Sequence, residues 1–316
     1  MLQVGFDVGG TNIAVGVVDD AGTIVARRST PFPTGKPYQE VADIMVGQIV
    51  DMARELNMGM EEFSAVGVAV PGSIDPACQR VMHAYNLQFH DVPLRSAIQA
   101  LLPSSVPVYL ANDADAAALA ELYAGAFRGC KTAALLTLGT GVGGGLIMNG
   151  RMFHGGMGHG VELGHMILAH NGPMCTCGTK GCVESLCTAT WLVQQGRRSV
   201  IDYPNALIAT QVQGDMDRVS AKLVIDSAKA GDAIALEIFS RFVDQLGSAL
   251  CSIFVLLDPE VIALGGGVSL AGDFLFEPLR ENVKRKCFFE EYGQILPAQL
   301  GNDAGIIGAA MLGKNE

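Results

Sequence analysis

A glycine-rich phrase occurs twice in this chain, and the repetition constrains the fold more than any other feature. Asp7-Val8-Gly9-Gly10-Thr11 stands between two apolar runs, Leu2–Val8 and Asn12–Val18, each of strand length. Leu138-Gly139-Thr140-Gly141-Val142-Gly143-Gly144-Gly145 stands likewise between Thr132–Leu138 and Val142–Met148. After the first pair, Asp19–Gly22 reads as a turn and Thr23–Arg28 as a third strand. After the second, Asn149-Gly150 reads as a hairpin turn. This is one duplication of a βββ-α unit, not an array. It predicts two related lobes with a ligand-binding cleft between them.

The remainder fits an α/β chain. Tyr38–Leu56 has helical spacing, with Val41, Ile44, Met45, Ile49 and Met52 on one face. Ala65–Val70, stopped by Pro71-Gly72, and Val106–Ala111 read as strands, and Ala114–Ala124 as an alanine-rich helix. Asp217–Ala230 and Ala233–Leu257 read as long helices, Val261–Leu264 as a strand, and Gly305–Leu312 as a final helix. At 316 residues the chain is too long for one small core, and 49% hydrophobic with 17% charged residues is a folding composition.

Charge excludes some functions. Lys plus Arg number 21 and Asp plus Glu 32, a formal charge of −11. With no basic block, nucleic-acid binding is not expected. An anionic substrate has to be held locally, by backbone N–H groups or a metal. The N-terminus lacks the marks of a signal peptide, and the apolar stretch Thr132–Met148 is interrupted by five glycines. The expectation is a cytoplasmic protein without a membrane span, whose eight cysteines form no disulfide framework.

A third glycine cluster, Gly265-Gly266-Gly267, also follows an apolar strand. Glycine lets backbone approach phosphate, and successive N–H groups cradle the oxyanions. Tight hairpins are the alternative. No Gly-Lys-Ser/Thr of a Walker A loop is present, nor a Gly-x-Gly-x-x-Gly opening a helix, so neither a P-loop nor a dinucleotide fold is indicated. Asp7 favours the phosphate reading, because a carboxylate at a strand's end beside such a loop is where Mg2+ is held.

Asn112-Asp113 joins a strand to a helix. Asp113 is either the helix N-cap or the base that takes a proton from an attacking hydroxyl, with Asn112 orienting the same substrate. Cys175, Cys177 and Cys182 fall within eight residues, and His165 lies ten residues upstream. Three thiolates and one imidazole suit a closed tetrahedral zinc site of structural type. Buried unliganded thiols are the alternative. His83, His90, His154, His159 and His170, and Cys78, Cys130, Cys187, Cys251 and Cys287, read as surface or packing residues.

Together these motifs resemble the ROK family of sugar kinases and repressors, a branch of the actin-like and hexokinase-like (ribonuclease H-like) ATPase fold, over nearly the whole chain. Asp7–Thr11 is similar to the family's first phosphate motif, Leu138–Gly145 to the second and Leu264–Val268 to its adenosine-side motif. Glu162-x-Gly164-His165 and the cysteine run ending at Glu184 are similar to its zinc and sugar signature. The resemblance implies Asp113 as general base. It implies Gly72, Asn86, Asn112, Glu162, His165 and Glu184 around the sugar. Asp7, Gly9, Gly10, Thr11, Asn12, Gly139, Thr140, Gly141, Gly265, Gly266 and Gly267 are then placed around the nucleotide. His165, Cys175, Cys177 and Cys182 are implied as zinc ligands. It further implies ATP, Mg2+ and Zn2+ as cofactors and a homo-oligomer, dimer or tetramer.

The lobes are expected to be residues 1–113, completed by 303–316, and residues 114–302. The expected activity is phosphorylation of a hexose at C6, glucose first, with N-acetylmannosamine, mannose, fructose and allose as alternative substrates. Gln88-Phe89, where family glucokinases usually have Gly-Trp, and Gly160-Val161, where they usually have Ala-Gly, bear on which sugar is taken. A sugar-responsive repressor is disfavoured, because the first phosphate motif begins at residue 7 and leaves no room for a DNA-binding module ahead of it. A non-catalytic sugar-binding module is disfavoured by Asp7, Asp113 and both phosphate loops.

Overall fold

A computed structural model of the chain describes residues 1–315. The first half contains β1 (Leu2–Val8), β2 (Asn12–Val18), β3 (Ile24–Pro31), α1 (Tyr38–Glu55), β4 (Phe63–Val70), β5 (Ser73–Ile74), β6 (Val81–Ala84), β7 (Phe89–Val92), α2 (Leu94–Gln99), β8 (Val108–Asn112) and α3 (Asp113–Ala124). The second contains β9 (Ala133–Leu138), β10 (Val142–Met148), β11 (Arg151–Met152), α4 (Ala189–Asp202), α5 (Leu207–Val212), α6 (Ala221–Lys229), α7 (Ala233–Leu257), β12 (Val261–Gly265), α8 (Asp273–Lys286), β13 (Gln294–Pro297) and α9 (Ala304–Met311).

The duplication appears in the sheets. One has the order β3-β2-β1-β4-β8 and the other β11-β10-β9-β12-β13. In each, the first three strands form an antiparallel meander joined by tight turns, and the last two add in parallel through helical crossovers. The expected Asn149-Gly150 turn joins β10 to β11, with both residues at positive φ. Two compact units result. One comprises Met1–Lys131, Gly145–Val161 and the segment from Gln299; the other comprises Thr132–Gly144 and Glu162–Ala298. β10 begins in the latter and ends in the former.

In the first unit β1 is covered on both faces, which is why it reads as a nearly continuous apolar run. Val4, Phe6 and Val8 join a core with Met45, Ile49 and Met52 of α1. Gly5 points to the opposite face, where a Cβ would fall 1.9 Å from the Ile306 carbonyl oxygen of α9. On β4 a Cβ at Gly67 would fall 1.8 Å from the Ala309 carbonyl oxygen. Only a side-chain-free strand surface lets α9 lie this close, and the approach brings the start of α9 to the end of β1.

In the second unit α7 has 25 residues and is apolar enough in length and composition to span a membrane. Here Ile238, Phe242, Leu246, Leu250 and Phe254 are buried, and the helix packs against α4, α6 and α8. It is closed by Asp258 in the left-handed conformation. The predicted helix Asp217–Ala230 is shorter, Ala221–Lys229, because the Ser220 side chain caps it at the Leu223 N–H. All eight cysteines are unbridged.

Candidate active site

Asp7 shares the face of β1 that carries Gly5, so its carboxyl meets the head of α9. A Cβ on Gly305 would fall 2.5 Å from Asp7 Cγ. Glycine there leaves room for a carboxylate, and the positive end of a helix favours negative charge. Burial still holds the Asp7 carboxyl above its ordinary range. Gly305→Ala is expected to displace Asp7 and lower kcat at least tenfold, in the range that small misplacements cost (about 10²-fold for 1 Å). A gain in thermal stability with unchanged kcat, the usual result of Gly→Ala inside a helix, would show that Asp7 has slack.

At the head of α3 the cap is Asn112, not Asp113. The Asn112 Oδ1 accepts from the backbone N–H groups of Ala114 (2.8 Å) and Asp115 (3.4 Å). Its Nδ2 donates to the Gly72 carbonyl at 2.9 Å, tying the Pro71-Gly72 turn to the helix and leaving one amide N–H over. Asp113 is therefore not needed as cap, although its Oδ1 accepts from the Ala114 N–H at 2.9 Å. The residue is exposed, yet protein around the carboxyl displaces part of its water. Loss of surrounding water pushes its carboxyl up to about 6, against the Ala114 N–H and helped by the charges of Asp7 and Asp115.

The first glycine loop is closed by the Gly9 N–H on the Asn12 carbonyl at 2.8 Å, with Thr11 and Asn12 exposed. A Cβ on Gly10 would fall 3.0 Å from Asn86 Cβ, so a predicted phosphate-loop residue and a predicted sugar residue adjoin. Asp7, Gly9, Gly10, Thr11, Asn12, Gly72, Asn86, Asn112 and Asp113 all belong to the first unit.

The second unit holds the other predicted residues. The Gly139 N–H donates to the Gly141 carbonyl at 3.0 Å. Helix α4 starts on this loop: the Ala189 N–H reaches the Gly139 carbonyl and Thr190 Oγ1 the Thr140 carbonyl. Gly266, at φ +80°, lies where a Cβ would be 2.5 Å from the Leu138 carbonyl oxygen. The cluster Gly265–Gly267 thus abuts the strand end from which the second phosphate loop springs.

His165 closes a short 3-10 turn that begins after the exposed Glu162. Its Nδ1 lies 3.7 Å from Cys175 Sγ, and Cys177 Sγ lies 3.7 Å from Cys182 Sγ. All four donor atoms fall within 4.8 Å of one another. Sulfurs about 2.3 Å from one tetrahedral ion stand about 3.8 Å apart, so the spacing suits a metal and is far too long for a disulfide. Burial pushes the Cys182 thiol up to about 12, while the Thr179 backbone draws the more exposed Cys177 down to about 7. A soft donor set of three sulfurs and one imidazole nitrogen, with no gap for substrate, fits zinc in a structural role.

Glu184 is pinned between this loop and the second glycine motif. Its Oε1 accepts from Thr176 Oγ1 at 2.9 Å and its Oε2 from the Val142 N–H at 3.1 Å. A Cβ on Gly141 would fall 2.7 Å from that Oε2. Thr176 and Gly305 carry no site motif of their own in the sequence. Thr176 lies inside the cysteine run, whereas nothing local marks Gly305 as the neighbour of Asp7.

Residues 3–316 match the ROK family as a whole. The chain belongs to the ROK family. It is 37% identical over 315 residues to a glucokinase of Thermotoga maritima, covering 98% of this chain and 96% of that one. The fold is similar to that of a ROK family glucokinase from Streptomyces griseus solved with glucose and AMPPNP (TM-score 0.80, 31% identity, 99% of both chains). It is similar also to a ROK hexokinase from Thermus thermophilus (TM-score 0.84, 32% identity, 98% of this chain and 97% of that one). The actin-like, hexokinase-like fold that the family resemblance implied is the fold of these proteins.

Proposed function

We propose that this chain is an ATP-dependent hexose kinase that transfers the γ-phosphoryl group of ATP to the C6 hydroxyl of glucose. The observation that carries the reading is Asp113: a carboxyl at a helix head, not needed as its cap, open to solvent and with its proton affinity raised to about 6. Such a group is ionised at neutral pH yet basic enough to accept a hydroxyl proton as transfer proceeds. The glucokinase relatives point to the same reaction.

In this reading the backbone N–H groups of Gly10, Thr11, Thr140 and Gly141 hold phosphate oxygens, those of Gly9 and Gly139 being used to close their loops, and Gly265–Gly267 borders the adenosine. Carboxylate oxygens suit Mg2+, so Asp7 would hold that ion, which supplies neutralisation of phosphate charge. Asn86, Glu162 and His165 hydrogen-bond sugar hydroxyls. His165 turns Nδ1 to the cysteines, which leaves Nε2 for the sugar. His165, Cys175, Cys177 and Cys182 would hold Zn2+, whose contribution is rigidity of the loop that carries His165 and Glu184. The thiols stay reduced in the cytoplasm.

The test is sugar-dependent ADP release across glucose, mannose, fructose, allose and N-acetylmannosamine. Glucose is expected to give the highest kcat/KM. A higher value for another sugar moves the substrate within the kinase class, and no ADP release with any sugar overturns the activity.

A further inference from the structure

Asp115 is the second acid in the first turn of α3, and only 5% of its surface is exposed. A buried carboxylate is costly unless a cation or several donors meet it. Its Oδ2 lies 3.5 Å from His154 Nδ1, while its Oδ1 has no hydrogen-bond partner among the described residues. Of the elements packed on α3, α9 and β4 carry no ionisable side chain, β8 carries only Tyr109, which lies under Arg95, and β11 carries Arg151, whose charge acts on Tyr123 in the last turn of α3. His154 is thus the cation-forming group that meets Asp115, and this contact holds its imidazole above the ordinary range.

His154 also opens a segment without helix or strand. Gly155, Gly158 and Gly160 all have positive φ, and such backbone loses much entropy when fixed. Its pins are few: the Gly160 N–H on the His154 carbonyl at 2.9 Å, the Gly158 N–H on the Gly155 carbonyl at 3.2 Å, and Gly158 against Pro76. The segment ends two residues before Glu162.

We propose that His154 and Asp115 form a clamp that fixes the segment from His154 to Gly160 on α3 and thereby positions Glu162 for the sugar. Both are positioning residues. The clamp stands on the contacts above, and its effect on the sugar rests on the kinase reading of Glu162. It matters for Asp113 as well, because truncating His154 leaves an uncompensated charge two residues away.

The experiment compares His154→Ala, Asp115→Ala, Asp115→Asn and Glu162→Ala by steady-state kinetics and by hydrogen exchange of the ligand-free protein. Both clamp alanine variants are expected to raise the sugar KM about tenfold or more, with the KM for ATP unchanged and kcat reduced less. The amides of residues 155–161 should exchange faster in both. Asp115→Asn keeps an acceptor for a neutral imidazole and should restore most of the affinity. Unchanged exchange over residues 155–161 in both alanine variants overturns the clamp, as does an equal rise in KM for sugar and ATP. If Glu162→Ala leaves the sugar KM unchanged, the role of Glu162 fails, and the exchange result still decides the clamp by itself.

Discussion

Asp113→Asn is expected to lower kcat by about 10²- to 10⁴-fold, the range that a positioned general base contributes, while calorimetry still detects glucose binding. The amide has nearly the shape of the carboxyl and keeps an acceptor for the Ala114 N–H, but it takes no proton. The wild-type pH profile carries the same signature. With the Asp113 carboxyl pushed up to about 6, kcat/KM should rise with pH through an acid limb near that value and level off above it. The effect on stability has the opposite sense. An unfolded Asp titrates near 3.9 and the folded one higher, so the folded state binds the proton more tightly. This group's contribution to stability is greatest below pH 4 and is lost as pH rises through 6. At pH 8 the ionised carboxylate therefore costs stability, and the asparagine variant should unfold at the same or a higher temperature. A large drop in melting temperature would assign Asp113 a structural task.

Removal of zinc is expected to have the second largest effect. The purified protein should contain about one zinc per chain, and a chelator should weaken glucose binding at concentrations that leave far-ultraviolet circular dichroism intact. Loss of the ion leaves three thiols, of which Cys182 resists ionisation, and frees the turn bearing His165. The effect should extend to Glu184, which Thr176 holds from inside the cysteine run. Cys177→Ser should reproduce it, since Cys177 is the exposed corner of the cluster. Unchanged glucose affinity in the zinc-free protein would separate the metal from the sugar site.

Much of this architecture was legible because its signals are local. The glycine clusters sit beside strand ends and three cysteines fall within eight residues, so spacing alone brought Gly139–Gly141 and Cys175–Cys182 forward. Helix α8 was not legible. Pro278 lies inside it, and proline is ordinarily read against a helix interior. Helix α4 follows the cysteine run without a strong apolar stripe, and its start is marked only by the Thr188 cap. The sheet β5-β6-β7 has strands of two to four residues, too short for alternation to show.

The cap at α3 could not be assigned in advance, because Asn and Asp are about equally favoured there; only the bonds of Asn112 decide it. Pairs distant in sequence were beyond reach for a different reason. Gly305 meets Asp7 and His154 meets Asp115 through the close packing of α9 and the return of β11 onto α3, which no short window records. His154, read as a surface or packing residue, becomes the partner of a buried acid.

The measurement that bears most directly on the central claim sets wild-type protein and Asp113→Asn side by side with ATP, Mg2+ and glucose at pH 8, following ADP and identifying the sugar phosphate by NMR. The expected result is ADP and glucose 6-phosphate in equal amounts from the wild type, and both at least about 10²-fold more slowly from a variant that still binds glucose. ADP formation by the variant at a rate near wild type, or none by the wild type with glucose, would contradict it.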